Sequence, residues 1–233
     1  MRNRREVEKR WLVSGSPRPG ARLRLFCFPY AGGGAAIYRP WGSNLPPEIE
    51  VIAVELPGRG LRIKERPSRQ LREVVNEIAD VIVPYLDREF AFFGHSMGAL
   101  LAFETARELR RRVGPHPVSL QVSGRRAPQI PDSDPITYNL PEAEFRAELR
   151  RLNGTPQEVL EHEELMELMS PLLRSDFELI QTYRYNPEAP LDCPITVYGG
   201  TDDEDVPAEY LLPWREQTTS KFAVHMIPGD HFF

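Results

Sequence analysis

The stretch Phe90-Ala91-Phe92-Phe93-Gly94-His95-Ser96-Met97-Gly98-Ala99-Leu100-Leu101 decides the fold. Its first four residues are apolar and mostly aromatic, suited to a buried strand. From Met97 to Arg112 an Ala- and Leu-rich run forms a helix, ending in a basic turn that suits the negative end of the helix dipole. Between strand and helix lies Gly94-His95-Ser96-Met97-Gly98, a G-x-S-x-G bend that lifts a serine hydroxyl out of the chain. Glycine is needed at both ends because the turn is so tight that a side chain would strike neighbouring backbone. A plain turn serine is the bland alternative, and the flanking strand and helix weigh against it.

Outward from this bend, further strands are expected at Leu23 to Phe28, Glu50 to Val54, Ser119 to Ser123, Ile195 to Tyr198 and Ala223 to Ile227. A helix is expected over Leu71 to Leu86, where Leu71, Val74, Val75, Ile78, Val81 and Ile82 share one face. Strands alternating with helices give the α/β class, a mostly parallel sheet covered on both faces. One domain over residues 1–233 is expected, with no repeats. Residues 141–185 break the rhythm with helix-like pieces rich in Glu and Leu. Some 45 residues exceed what one crossover needs, so they read as a helical insertion placed as a lid above the strand ends.

Composition narrows the function classes. With 41% hydrophobic residues among 233 the chain can bury a large core, and a net charge of −5 gives no general attraction to nucleic acid or anionic membrane. No stretch approaches the roughly 18 apolar residues of a membrane span, and the charged N-terminus has no apolar core of a signal peptide, so a cytoplasmic monomer is expected. Cys27 and Cys193 lie in apolar runs without metal-ligand spacing and read as buried free thiols; no metal is expected.

A serine hydroxyl becomes a nucleophile only when a base takes its proton and a third group orients that base. Of five histidines, His95 is aimed away by the bend, His116 lies in a connecting loop on the wrong side of the next strand, His162 lies in the insertion, and His225 lies within a strand. His231 remains, in a loop after the last strand and the turn Pro228-Gly229-Asp230. For the acid, Asp202 comes first after Tyr198-Gly199-Gly200-Thr201; Asp203 and Asp205 are the alternatives, and a merely solvated acidic loop is the bland reading. The oxyanion donors are expected to be the backbone N–H groups of Met97 and of Ala31, the latter in Phe28-Pro29-Tyr30-Ala31-Gly32-Gly33-Gly34. A phosphate-binding role for those glycines is weaker, since Ile37 occupies the third glycine position of G-x-G-x-x-G.

The segments FCFPYAGG, ELPGRG (Glu55 to Gly60), FGHSMGALLAFE, SGRRAP (Ser123 to Pro128), TYRYNP (Thr182 to Pro187) and GDHFF together resemble the type II thioesterases, editing hydrolases that accompany modular polyketide and nonribosomal peptide synthases. The resemblance covers nearly the whole chain and implies the α/β-hydrolase fold, with a triad at Ser96, Asp202 and His231. It also implies hydrolysis of stalled or incorrect acyl groups from the phosphopantetheine arm of an acyl or peptidyl carrier protein through an acyl-serine. No cofactor of the enzyme's own is implied.

Two positions depart from the family pattern. Asp230 stands where a second glycine usually precedes the histidine, and the sequence stops two residues after His231 where relatives continue into a closing helix, so a tail beyond Phe233 is expected. Arg125 and Arg126, after the fourth expected strand, are candidates for docking an acidic carrier protein, against the alternative of pairing within the molecule. Competing functions are a general carboxylesterase or lipase, which shares the triad chemistry, and a non-catalytic acyl-carrier binder.

Overall fold

The computed structural model describes residues 10–15, 18–112, 114–131 and 135–233. Seven strands form one sheet: β1 Leu12–Ser14, β2 Leu23–Phe28, β3 Ile49–Val54, β4 Glu89–His95, β5 Ser119–Ser123, β6 Ile195–Gly200 and β7 Phe222–Ile227. Their spatial order is β1-β3-β2-β4-β5-β6-β7, with β1 antiparallel to β3 and every other pair parallel. All six expected strands are present. The unexpected one, β1, has three residues, too few to show a period of two.

The helices are α1 Trp41–Asn44, α2 Leu71–Ile82, α3 Met97–Arg112, α4 Glu142–Arg151, α5 Gln157–Glu161, α6 Glu163–Gln181 and α7 Ala208–Leu211. Helix α2 gives way at Val83 to a tighter turn containing Pro84, which has no N–H for the helical ladder. The alternation of β2 divides the core. Phe26 and Phe28 point to one face, where Phe92 meets both edge-on at 5.9 and 5.2 Å, among the buried residues of α2 and α3. Cys27 points to the other, with Ala35, Tyr38 and Ala53. Helix α3 is buried along almost its whole length, from Met97 to Leu109. Both cysteines are free and buried, as expected; burial pushes the Cys193 thiol up to about 11 and Cys27 higher still, which keeps both as inert thiols.

Two features locate the site. The chain adds β3 on one side of β2 and then places β4, β5, β6 and β7 on the other, so the order reverses between β2 and β4. At such a switch point the loops beyond the carboxyl ends diverge and leave a crevice. Residues 141–185 lie between β5 and β6 and hold α4, α5 and α6, which bury a small core of their own around Phe145, Leu149, Leu160, Met166 and Leu173. Among the described residues no helix is long and apolar enough to cross a membrane.

Candidate active site

Strand β4 ends at His95 and α3 begins at Met97, leaving Ser96 alone at the bend. Its φ of +53° lies in the left-handed region that a non-glycine residue enters at a cost, and its N–H is tied to the Ser123 carbonyl at 2.8 Å. The two glycines of the bend are required by contact: a Cβ on Gly94 would overlap the Gly98 carbonyl, and one on Gly98 would overlap the Phe28 carbonyl of β2. Met97, first residue of α3, has an N–H without an intrahelical acceptor, at the positive end of the helix dipole.

His231 arrives from the loop after β7, and its Nδ1 lies 2.7 Å from Asp203 Oδ2. Asp203 is buried, and its other oxygen accepts the N–H groups of Asp205 and Val206 at 3.1 and 3.0 Å. Burial alone would raise its pKa. The hydrogen bond and charge of His231 and those two backbone donors outweigh burial and hold the carboxyl below its ordinary value.

The expected acid therefore needs correcting by one residue. Asp202 is exposed, and among the described residues its carboxylate takes only the neighbouring Thr201 hydroxyl at 3.2 Å. Residues 200–203 form a turn, with Asp203 N–H directed to the Gly200 carbonyl, so the fourth residue and not the third returns to the sheet edge. Asp205, the other alternative, pairs with Arg151 of α4 at 2.8 Å.

Ser96, His231 and Ala31 line one cavity of about 450 Å³, roofed by insertion residues including Leu149, Leu173 and Phe177. Among the described residues no hydrogen bond joins the Ser96 hydroxyl to His231. Such contacts are often long without substrate and tighten in the complex. His95 packs as expected. Its ring lies 5.1 Å from that of His231 and packs against Tyr30 and Phe232, and its Nδ1 contacts Ser123 Oγ at 2.9 Å. Burial, followed by the charge of His231, pushes His95 down to about 3, so it is neutral at working pH. His225 stacks on Tyr198 across β6 and β7.

The docking expectation for Arg126 also needs correcting. Its guanidinium is buried 5.0 Å over the Tyr210 ring and donates to the Asp205 carbonyl at 3.3 Å, so it belongs to the cavity wall and not to an outer face. Arg125 is half-buried beside it, and its carbonyl accepts the Trp214 indole N–H at 2.8 Å. The Asp230 carboxylate, unforeseen in its role, accepts Phe232 N–H and Asn153 Nδ2, each at 2.9 Å, the latter tying the histidine loop to the insertion.

The thioesterase domain family model matches residues 23–233. The gramicidin S biosynthesis protein GrsT of Aneurinibacillus migulanus is 47% identical over 224 residues, which cover 96% of this chain and 88% of GrsT. Among solved structures, the RedJ thioesterase from the prodiginine biosynthetic pathway of Streptomyces coelicolor superposes with a TM-score of 0.87 at 39% identity, covering 93% of this chain and 85% of its own. The type II thioesterase BorB from the borrelidin biosynthetic cluster gives 0.87 at 37% identity, covering 96% and 91%. Sheet order, serine bend and these relatives agree: the chain belongs to the thioesterase family, as an enzyme of the α/β-hydrolase fold that acts on thioesters.

Proposed function

We propose that this enzyme is an editing type II thioesterase that clears acyl groups from the phosphopantetheine arm of acyl or peptidyl carrier proteins in a modular synthase, in the cytoplasm and without a cofactor of its own. The observation that carries the reading is the Asp203–His231 hydrogen bond at the wall of the cavity that also holds Ser96. His231 Nε2 takes the Ser96 hydroxyl proton as Oγ attacks the thioester carbonyl. The oxyanion falls to the N–H groups of Met97 and Ala31, and collapse expels the pantetheine sulfur, which takes the proton from His231. Water then enters, His231 removes its proton, and a second tetrahedral species releases the free acid and restores Ser96. Asp203 keeps the imidazole in the tautomer with Nε2 facing serine and stabilises the imidazolium. Because a thiol with a pKa of about 8.5 leaves readily, stabilising the oxyanion matters more than protonating the leaving group.

The insertion acts as a lid whose apolar side chains receive the acyl chain. Of the two arginines, only Arg125 keeps the accessibility that carrier docking requires. Matched acyl-pantetheine thioesters and acyl oxyesters separate this reading from a carboxylesterase: the thioester should give the higher kcat/KM by at least about tenfold, equivalent to ~1.4 kcal/mol. Preference for the oxyester contradicts it, and binding of acyl carrier without turnover would support the non-catalytic reading.

A further inference from the structure

The loop after β2 contains a turn in which Gly33 N–H donates to the Tyr30 carbonyl at 2.9 Å, with Ala31 and Gly32 at its centre and Gly32 at φ +79°. In a trans peptide the N–H points opposite the preceding C=O. Pinning the Tyr30 carbonyl to Gly33 therefore also fixes the direction of the Ala31 N–H.

Two side chains from distant parts of the chain grip this turn. Asp176 of α6 accepts the Gly32 N–H on Oδ2 at 2.8 Å. Arg59, from the segment after β3, donates to the Gly33 carbonyl at 2.8 Å. The two meet in a bidentate pair, Nη1 to Oδ2 at 2.9 Å and Nη2 to Oδ1 at 2.7 Å, with side-chain exposures of 6% for Arg59 and 1% for Asp176. A fully desolvated ion pair is weak evidence for stability, since apolar side chains of similar volume often serve as well. What this pair does that apolar residues cannot is satisfy the Gly32 donor and the Gly33 acceptor together. Leu173, one turn earlier on α6, occupies the space that a Cβ on Gly32 would need.

We propose that Asp176, held by Arg59, is a positioning residue for the oxyanion donor at Ala31, so that the insertion that covers the cavity also sets the geometry of the transition-state site. The inference rests on the reading of Ala31 N–H as an oxyanion donor. It is tested with two double variants that both remove the buried charges. Arg59→Met with Asp176→Leu takes the acceptor from Gly32, whereas Arg59→Met with Asp176→Asn leaves an oxygen there. The readouts are kcat and KM on an acyl-pantetheine thioester, affinity for an alkyl boronic acid that forms a tetrahedral adduct on Ser96, and melting temperature.

The leucine pair should lose kcat by about 100-fold with KM within about threefold, and boronate affinity should fall alongside kcat. The asparagine pair should recover at least about tenfold of both. If the leucine pair does not fold, Asp176→Glu, which keeps the charge for Arg59 and shifts the acceptor, should show the same split of kcat from KM. Wild-type kcat in the folded acceptor-shifted variant, or equal losses in both double variants with boronate affinity unchanged, overturns the proposal. Failure of the wild type itself to hydrolyse thioester or bind boronate instead overturns the functional reading beneath it.

Discussion

Asp202 and Asp203 differ by one position and face opposite surroundings. Asp202 meets solvent and a threonine hydroxyl, while Asp203 is buried with three hydrogen-bond donors around it, one of them His231. Asp203→Asn should lower kcat by roughly 10³- to 10⁴-fold, because the amide favours the wrong imidazole tautomer, while Asp202→Asn should stay within about threefold. The same substitution has a stability signature. The Asp203 carboxyl sits below its ordinary value in the folded chain, so its contribution is complete above the unfolded value of about 3.9 and is lost as pH falls through the lower folded value. In urea titrations the stability gap between wild type and Asp203→Asn should therefore narrow as pH drops from about 5 toward about 2. A gap independent of pH contradicts the assignment. The sequence placed the acid in this loop, with Asp202 first and Asp203 and Asp205 as alternatives, and could not order them correctly, because direction within a four-residue turn depends on backbone angles that residue type alone does not disclose.

Elements with a clear period were readable from the chain. Helix α3 runs over the expected span because its apolar and small residues favour helix throughout, and the order of strand, bend and helix around Ser96 follows from two glycines and a serine at fixed spacing. What the bend requires sterically is sharper in three dimensions, since Gly98 packs against the Phe28 carbonyl from another strand. Gly98→Ala should cost at least about 3 kcal/mol in urea unfolding, since the added methyl meets backbone and not a yielding side chain. A loss under about 1 kcal/mol would mean that β2 and α3 can separate at no great cost. The insertion was recognisable as helical, but its contacts were not. Gly32 and Asp176 lie 144 residues apart, and no local pattern announces a bond across that distance.

Across the whole molecule, the reversal of strand order between β2 and β4 brings the glycine-rich loop beside the serine bend. The two loops after β6 and β7 then carry Asp203 and His231 to the cavity that Ser96 lines. The insertion closes over them through Arg151 to Asp205 and Asn153 to Asp230, so acid loop, histidine loop and roof form one connected assembly. The sheet was legible because each strand declares itself by composition; which loops converge is a property of topology. In the proposed mechanism Ser96 carries the acyl group. Incubating the protein with acyl-loaded carrier protein and following it by intact mass should reveal a transient increase equal to the acyl group in the wild type, absent in Ser96→Ala together with turnover. Continued hydrolysis by Ser96→Ala, or an acyl adduct that maps to another residue, would contradict it.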